Sequence, residues 1–531
     1  MRRDFKKLRN GPFDLLVIGG GVLGAWTAYD GALRGLKTAI VDKGDWAGET
    51  SSASSKLIHG GLRYLEHLWF GLVYETLKER EKLISLAPHR VFQLPFLLPV
   101  YEDARVGRLS LKTGLAAYDL LAKINSKKPF PSHRYLTKNE FLREAPYLRK
   151  EGLTGGFLYT DARTDDARFT LEIIDGAVQA GAVAVNYAEA REILVSENRA
   201  LGAVIVDNES NDRVDLRASV TVNAAGPRAF SLGNLDRNVL PNFTLTKGVH
   251  LVLPEVSPKN ALLFSTRKDN RIFFMLPWYG STLLGTTDTE FYGNPGNLEV
   301  EPGDISYLLE AGNSYLENIR WEASQIQGQF AGLRVLKKKH GKTPSDRTRE
   351  WELVEPIHSL LMAVGGKFTS ARAEAEKIND RALGILGIQG GKHPTENRPF
   401  PWAPAEERDW QRPLTDAGIK AVLDLETAKL CAFRYGKLLP ELLEIISDSN
   451  KLSERIDPKH PFCAGEIVYA LKYEMARNLK DLFFRRIPLT KIAKMEKEVI
   501  ERGARIAAGV LGWDKERVSF EVNSVLKDSL F

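Results

Sequence analysis

The hydrophobic pattern is clearest near the N-terminus. Residues 15–18 form an apolar run that ends in glycines, residues 24–33 carry small and apolar side chains at helical spacing, and residues 38–41 form a second apolar run. Short apolar runs bounded by glycine are typical of buried strands, and a 3.6-residue period is typical of a helix. The segment therefore predicts a β-strand, a helix and a second, parallel β-strand.

Glycines stand at the turn from the first predicted strand into the helix. Gly19, Gly21 and Gly24 form the pattern GxGxxG. The first permits a tight turn, the second leaves room for a pyrophosphate, and the third lets helix and strand pack closely. Asp42 follows about 20 residues on, where a carboxylate accepts hydrogen bonds from an adenosine ribose. The pattern predicts a dinucleotide site, and the alternative is a glycine-rich turn that only packs.

A later segment favours FAD as the dinucleotide, and two others are consistent with it. TSSASSKLIHGGLR, residues 50–63, combines hydroxyl side chains with exposed backbone, which suits a second line of contacts along a long, bent cofactor. VTVNAAG, residues 220–226, and LMAVGGKFTSAR, residues 361–372, are predicted strands that end in small residues, and each is equally consistent with a plain joint between sheet and helix. The predicted cofactor contacts in these segments are Thr50, Ser51, Ser54, Ser55, Lys56, His59, Gly60, Gly61, Gly226, Gly365, Gly366, Lys367 and Thr369.

The remaining chain divides by pattern into a sheet, a linker and helices. Short apolar runs at 262–264, 272–276 and 282–285, spaced by turn residues, predict an antiparallel sheet. The proline-rich stretch 392–409 predicts a linker. Periodic segments beyond it, such as 466–482 and 490–511, predict helices.

Composition and charge exclude several classes of protein. The 531 residues are 43% hydrophobic, which favours a globular protein of several domains over a disordered or fibrous one. The net charge of +6 is too diluted over this length to indicate a nucleic-acid partner. Two cysteines outside any metal-binding pattern predict no metal site and no disulfide framework. No apolar run suits a spanning helix or a signal peptide.

Several motifs together resemble one family. TSSASSKLIHGGLRYLEH, TKGVHLVLP, GTTDTEF, GLRVL and GGKFTSAR follow the glycine pattern in that order. They are similar to the FAD-dependent glycerol-3-phosphate dehydrogenases of respiratory chains, within the D-amino-acid-oxidase-like flavoproteins. The resemblance is strong over residues 12–380 and looser over 400–531.

The resemblance implies an α/β and α+β fold in three parts. A glutathione-reductase-type, Rossmann-like FAD-binding domain is expected to be assembled from residues 12–90, 165–240 and 330–385. An antiparallel-sheet substrate cap is expected from residues 90–165 and 240–330, followed by a helical C-terminal domain over 400–531.

The resemblance also implies a reaction and its residues. The family oxidises sn-glycerol 3-phosphate to dihydroxyacetone phosphate by hydride transfer from C2 to FAD. Arg63 and Arg349 are expected to bind the phosphate, because the guanidinium fork matches phosphate oxygens, and Arg334 is expected at the reacting alcohol. Val335 replaces the proline usual after that arginine, and the basic surroundings of the later arginine leave Arg347 as an alternative phosphate ligand.

Further roles follow from the same motifs. His250 is the expected general base, since an imidazole accepts a proton near neutral pH, with a strand histidine hydrogen-bonded in the cap as the alternative. Lys367 is expected to place positive charge near the flavin or substrate. Thr287 and Asp288 are expected either to orient substrate or to support the cap turn. His59 is expected on the cofactor side.

The electron acceptor and the location depend on a basic, apolar strip. Residues 105–128 mix arginine and lysine with leucine and isoleucine, which is consistent with a helix lying on an anionic membrane surface. The prediction is a peripheral enzyme on the cytoplasmic face of the inner membrane that reduces ubiquinone or menaquinone, with a homodimer as a further expectation. A soluble amphipathic helix is the alternative for the strip. Leu482–Arg486 is a weaker membrane candidate for which core packing is preferred.

Rival functions remain. A glycerol-3-phosphate oxidase that reduces oxygen would share nearly all of these motifs. An amine or amino-acid oxidase of the same superfamily would need an apolar or carboxylate-binding cap, which the three motif arginines disfavour. A FAD-dependent protein that modifies or binds nucleic acid would need a basic stripe interleaved with aromatic residues, which the sequence lacks.

Overall fold

The computed structural model describes residues 1–67, 69–125, 130–232, 243–337, 351–404 and 409–529, without the side chains of Arg63, His67, Asn125, Lys337 and Ser529. In chain order its strands are β1 (Phe13–Ile18), β2 (Thr38–Val41), β3 (Leu57–Ile58), β4 (Val91–Tyr101), β5 (Arg134–Thr137), β6 (Leu153–Thr164), β7 (Val183–Val185), β8 (Ala188–Ser196), β9 (Arg199–Asp207), β10 (Arg213–Asn223), β11 (Phe243–Pro254), β12 (Ala261–Ser265), β13 (Ile272–Trp278), β14 (Ser281–Gly285), β15 (Thr289–Phe291), β16 (Gly328–Lys337), β17 (Glu352–Ile357) and β18 (Leu360–Val364).

The helices alternate with these strands and then follow them. They are α1 (Val22–Leu33), α2 (Phe70–Leu86), α3 (Arg108–Asn125), α4 (Lys138–Glu144), α5 (Asp166–Gln179), α6 (Pro302–Asn313), α7 (Ala371–Ile385), α8 (Gln411–Lys420), α9 (Leu425–Tyr435), α10 (Leu439–Ser447), α11 (Ala464–Tyr473), α12 (Leu479–Asp481), α13 (Leu489–Ile492), α14 (Lys497–Leu511) and α15 (Lys515–Ser529). Leu482–Arg486 forms a π-helical turn after α12. None of the helices in the described parts of the chain is long and apolar enough to span a bilayer.

The first sheet has the order β17-β18-β10-β1-β2-β7, with β9 and β8 attached beyond β10. Its central strands β18, β10, β1, β2 and β7 run parallel. Such strands are buried on both faces, which explains the unbroken apolar runs. On one face α1 packs against α5 and α7, where Trp26 contacts Phe169 and Phe400 edge to face. The predicted strand, helix and parallel strand are therefore correct.

The second sheet is mainly antiparallel. Its order is β15-β11-β14-β13-β12-β4-β6-β3, with β16 paired to β11 and β5 paired to β6. Its strands come mostly from the two segments predicted as the cap. β16 differs, because it hydrogen-bonds to β11 from Phe243↔Lys337 to Val252↔Gly328 and so carries the second sheet beyond residue 330. The predicted fold class of a Rossmann-like domain with an antiparallel cap sheet is confirmed, and the domain boundaries stay a proposal.

The C-terminal helices pack on the second sheet. Phe483, Leu489 and Ile500 are buried in one cluster with sheet residues such as Phe96. The predicted linker, residues 392–409, does not simply connect the domains, because part of it is packed against the first domain. Trp402 is 1% exposed and its Nε1 donates to Asp175 Oδ2 at 2.7 Å, so this part of the stretch is anchored to α5.

Candidate active site

A cavity of about 660 Å³ lies between the carboxyl ends of the parallel strands and the second sheet. At such edges an open α/β sheet binds its ligands. Of the predicted residues, the cavity is lined by Gly19, Gly21, Asp42, Thr50, Ser51, Ser54, Ser55, His59, Gly61, Gly226, His250, Arg334, Gly365, Gly366, Lys367 and Thr369. The structure thus brings together residues that are more than 300 positions apart in the sequence.

One end of the cavity has the shape of a dinucleotide cradle. Gly19 has φ +111°, and a Cβ there would lie 2.6 Å from the carbonyl oxygen of Ala224. A Cβ at Gly24 would lie 1.9 Å from the carbonyl oxygen of Gly19, so this glycine is required where helix and strand meet. Gly21 is the N-cap of α1 and lines the cavity. The helix N-terminus is therefore open to a pyrophosphate.

Asp42 orders the same end of the cavity. Its carboxylate accepts hydrogen bonds from the backbone N–H of Gly20 at 2.6 Å and of Gly44 at 2.8 Å. Burial raises the pKa of Asp42 to about 6, and these two hydrogen bonds oppose the rise. The carboxylate stands beside the cavity at the end of β2, where it fits an adenosine ribose.

Some residues of the segment 50–61 line the cavity, and others pack behind them and hold them in place. Ser51 Oγ accepts a hydrogen bond from Val22 N at 2.9 Å, which joins this segment to the start of α1. Ser54 and Lys56 contact the carboxylate of Asp166, with Lys56 Nζ at 2.6 Å. Lys56 and Gly60 lie behind the wall. Lys56 is paired and buried, and Gly60 N donates to Tyr118 Oη at 2.8 Å.

His250 lies at the opposite, cap-side end, on β11. It is 2% exposed, and its Nε2 is 2.9 Å from Ser55 Oγ. Burial lowers the pKa of the His250 imidazole well below its usual range, and the charges of Arg334, Lys56 and Lys491 lower it further. The imidazole is therefore neutral at neutral pH, which is the state that a proton acceptor needs.

Arg334 is fixed by the turn after β14. Its guanidinium donates to Thr286 Oγ1 at 2.8 Å and to the carbonyl oxygen of Thr287 at 3.1 Å, and it pairs with Asp288 at 3.2 Å. It lies against Gly248, where a Cβ would be 2.3 Å from Nη2. Gly248 is a requirement that the sequence patterns did not reveal, although it stands two residues before His250.

Thr287 supports the cap, and its neighbour Thr286 lines the cavity. The Thr287 hydroxyl accepts from Val249 N at 3.0 Å and donates to the carbonyl oxygen of Lys247 at 3.4 Å. Because its hydroxyl is hydrogen-bonded to the backbone of β11, Thr287 is better suited to support the turn of the cap than to bind substrate.

Lys367 projects from the loop after β18. Its Nζ is 4.0 Å from the ring centroid of Tyr64, a cavity residue that sequence reasoning missed. The buried Glu374 supports this loop, accepting from Ser370 Oγ at 2.5 Å and from Lys367 N at 3.4 Å. Burial raises the pKa of Glu374 to about 7. Glu374 could be identified from the sequence as the support of this loop only if the start of α7 were already known.

The structure does not describe the side chains of the three arginines predicted to bind the phosphate. Arg347 and Arg349 fall in 338–350, outside the described residues, and the side chain of Arg63 is likewise outside them. Their roles remain predictions.

Comparisons with known proteins agree with the geometry. Residues 14–371 match the family model "FAD dependent oxidoreductase", and residues 390–518 match "C-terminal domain of alpha-glycerophosphate oxidase". The glycine turn, the two sheets and the two family matches define the class: a flavin-dependent oxidoreductase with a C-terminal helical domain.

Individual relatives narrow the class. A glycerol-3-phosphate dehydrogenase from Synechocystis sp. is 31% identical, over 98% of this chain and 97% of its own length, and an aerobic glycerol-3-phosphate dehydrogenase from Staphylococcus aureus is 34% identical, over 91% and 87%. The crystal structure of the Bacillus halodurans glycerol-3-phosphate dehydrogenase complexed with FAD has a TM-score of 0.80 at 27% identity, covering 98% of this chain and 95% of that one. The chain belongs to the FAD-dependent glycerol-3-phosphate dehydrogenase family.

Proposed function

We propose that this chain oxidises sn-glycerol 3-phosphate to dihydroxyacetone phosphate and passes the electrons to a membrane quinone. The observation that carries the proposal is the placement of a buried, neutral His250 and a fixed Arg334 in one cavity with the dinucleotide cradle. The substrate follows from the family and from the chemistry of these two residues.

His250 is the proposed proton acceptor for the C2 hydroxyl. We assign the accepting atom as Nε2, because this nitrogen contacts a cavity-lining hydroxyl, Ser55 Oγ, at 2.9 Å. Phe330 stacks on the imidazole with ring centroids 5.1 Å apart, which fixes the plane of the ring. The base is therefore held in one orientation before substrate arrives.

Arg334 is the proposed partner of the negative charge that develops on the C2 oxygen. Its donors are already oriented by Thr286, Thr287 and Asp288, so little rearrangement is needed during reaction. Lys367 adds positive charge on the cofactor side, and Arg63 with Arg349 or Arg347 is proposed for the phosphate. When bound, FAD supplies the acceptor for the hydride that leaves C2.

Membrane attachment is proposed through α3. Its outward face carries Leu109, Leu120 and Ile124, which are 75%, 61% and 63% exposed, beside the exposed Lys112 and Lys123. Positions 109, 116, 120 and 124 lie on one side of a helix. An apolar stripe flanked by lysines suits the interface of an anionic bilayer. Two cations of the predicted strip act within the protein instead: Arg105 pairs with Glu66 and Arg108 stacks on Tyr135.

The same helix packs behind the wall of the cavity. Tyr118, on the buried face of α3, accepts a hydrogen bond from Gly60 N at 2.8 Å and donates to Asp161 Oδ2 at 2.7 Å. A membrane surface under α3 would thus lie close to the flavin site. This proximity supports a quinone from the bilayer as the acceptor, on the cytoplasmic face of the inner membrane.

The test is anaerobic mixing of the purified holoenzyme with glycerol 3-phosphate while flavin absorbance is followed. Bleaching of the oxidised flavin is expected, and an unchanged spectrum would overturn the substrate assignment. Reoxidation by a short-chain ubiquinone, compared with peroxide formation in air, then identifies the acceptor. Oxygen is the second candidate, because the family model for residues 390–518 is described from an oxidase. Sedimentation of the detergent-solubilised holoenzyme tests the proposed homodimer.

A further inference from the structure

The C-terminal segment contacts the loop 42–55, which joins β2 to β3, through buried charges. Asp45 in this loop is 3% exposed. It accepts a bidentate pair of hydrogen bonds from Arg486, one of them from Nη2 to Oδ1 at 2.9 Å, and another from Arg485 Nε at 2.5 Å. Both arginines belong to the π-helical turn Leu482–Arg486, whose apolar residues Leu482 and Phe483 are buried in the core.

Lys491 on α13 provides a second contact with the same loop. Its Nζ donates to the carbonyl oxygen of Ser52 at 2.6 Å and lies 3.2 Å from Ser52 Oγ. Burial, with Lys56 close by, lowers the pKa of Lys491 to about 7. The position of α13 is itself tightly defined, because a Cβ at Gly328 would lie 2.0 Å from the carbonyl oxygen of Lys491.

The inner side of the same loop faces the cofactor cradle. Asp42, Thr50, Ser51 and Ser54 line the cavity, and Ser51 Oγ accepts from Val22 N at the start of α1. Arg485 lines the cavity as well. The loop therefore contacts both the dinucleotide site and the C-terminal segment, and its Asp45 meets Arg485 at the wall of the cavity.

Core stability alone is a weak explanation for this arrangement. Two arginines and two carboxylates, Asp45 and Asp481, are largely withdrawn from water, and the desolvation of buried ion pairs cancels much of their attraction. What such pairs do provide is one defined geometry, since each lost partner leaves a buried charge uncompensated. The geometry that they define here is the position of the loop 42–55 beside the cavity.

We propose that the C-terminal helical segment is a clamp that retains FAD, holding the loop 42–55 closed over the dinucleotide through Arg485, Arg486 and Lys491. FAD leaves when these contacts open. The inference goes beyond the proposed function, because it depends on the cofactor and not on glycerol 3-phosphate or quinone.

The test compares Lys491→Met with Lys494→Met in the full-length holoenzyme. Lys494 is three residues on, exposed, and donates to Ser324 O in the cap at 3.1 Å, away from the loop. The readout is the rate of FAD release, followed as recovery of flavin fluorescence after dilution. Lys491→Met is expected to release FAD at least about tenfold faster, equivalent to about 1.4 kcal/mol. Lys494→Met is expected to stay within about twofold of the original rate.

Two further variants separate a clamp from general destabilisation. Lys491→Gln retains an N–H donor for Ser52 O, so partial recovery of slow release is expected. Asp45→Asn removes the carboxylate that both arginines share and leaves Asp481 paired with Arg485, and it is expected to accelerate release as Lys491→Met does. Equal release rates for Lys491→Met and Lys494→Met would overturn the proposal. So would a release rate that rises only in proportion to a lower free energy of unfolding, with no recovery in Lys491→Gln.

If the variants do not fold, the clamp can be tested by amide hydrogen exchange of the unaltered holoenzyme. The clamp predicts that amides of residues 44–52 and 482–492 open together, at the rate at which FAD is released. Opening of 482–492 much faster than FAD release would refute it. Flavin bleaching by glycerol 3-phosphate is scored separately, so failure of the clamp and failure of the proposed substrate are distinguishable.

Discussion

His250 and Phe330 stack with ring centroids 5.1 Å apart and an angle of 20° between their planes. The ammonium groups of Lys56 and Lys491 each lie 5.2 Å from the centroid of the same Phe330 ring. The imidazole and the two lysine side chains therefore share one aromatic ring, and the positive charges of the lysines lower the pKa of His250. This arrangement disfavours the charged form of His250 without giving its nitrogens a competing anion.

The first prediction concerns the pH dependence of flavin reduction. The pKa of His250 is depressed, so the imidazole remains neutral and able to accept a proton as the pH falls through its ordinary value of 6.5. The anaerobic reduction rate is expected to stay level from pH 8 to about 6.5 and to decline only at lower pH. Stopped-flow absorbance checks this. A midpoint at or above 6.5 that belongs to His250 would contradict it.

Replacement of the base gives the companion measurement. His250→Asn is expected to slow flavin reduction by about 10²–10⁴-fold, the usual contribution of a general base. It is also expected to remove the low-pH decline, which Ser55→Ala, as a control that keeps the imidazole, should retain.

The second prediction concerns Arg334. Its guanidinium uses separate donors for Thr286 Oγ1 and the carbonyl oxygen of Thr287, a fork that an ammonium group cannot reproduce. Arg334→Lys is therefore expected to lose most of the activity, and Arg334→Ala to lower the flavin reduction rate by about 10²–10³-fold. The expected loss falls on the rate of reduction more than on substrate affinity. A rise in KM with an unchanged rate of flavin reduction would instead indicate that Arg334 binds the substrate phosphate.

Local patterns predicted the parts of this site that are local. The strand, glycine turn and helix before Asp42 are contiguous, and the motifs of His250 and Arg334 each lie on a single strand, so short segments of sequence contain the signal. Lys56 shows the limit. Its motif indicated a cofactor contact, yet its ammonium group is paired with Asp166 behind the cavity wall.

Contacts between distant segments could not be predicted in this way. Asp45 and Arg486 are separated by 441 positions, and neither stands in a pattern that names the other. Tyr118 on α3 and Gly60 likewise meet only after the fold has formed. The role of the C-terminal segment became visible through such pairs, because burial and hydrogen-bond geometry depend on which elements pack together.

The third prediction concerns Gly248. A Cβ there would lie 2.3 Å from Nη2 of Arg334, so Gly248→Ala is expected to displace the guanidinium, with little loss of stability because the end of a flexible side chain can move away. Flavin reduction should slow with it. Gly303→Ala is the control, since a Cβ at that position of α6 meets nothing within 4 Å. Normal reduction kinetics in Gly248→Ala would show that the position of Arg334 is not critical.

The fourth prediction concerns membrane binding. Burying a leucine side chain contributes about 1.5–3 kcal/mol, so Leu109→Glu with Leu120→Glu is expected to weaken binding to anionic vesicles by at least about a hundredfold. Co-sedimentation with phosphatidylglycerol vesicles measures this. Val195→Glu, a change at a residue of β8 that is 47% exposed, is the matched control. Equal vesicle binding by the double leucine variant and by Val195→Glu would show that α3 does not bind the membrane.

The fifth prediction concerns Glu374 and stability. Burial raises its pKa from 4.5 to about 7, so the folded protein binds a proton that the unfolded chain releases between these values. Stability from this group is therefore greatest below pH 4.5 and is lost as the pH rises through about 7. The full difference corresponds to about 3 kcal/mol, a figure in which the opposing charge of Lys367 is already included.

Glu374→Gln isolates this effect, because the amide keeps an acceptor for Ser370 Oγ and cannot ionise. Thermal unfolding of the variant and the unaltered holoenzyme is compared at pH 5 and pH 8. The variant is expected to gain stability relative to the original protein at pH 8 and to gain little or nothing at pH 5, where Glu374 is already protonated. The opposite order would mean that the carboxylate is stabilised by Lys367 more than burial destabilises it, and that Glu374 is charged beneath the loop that carries this lysine.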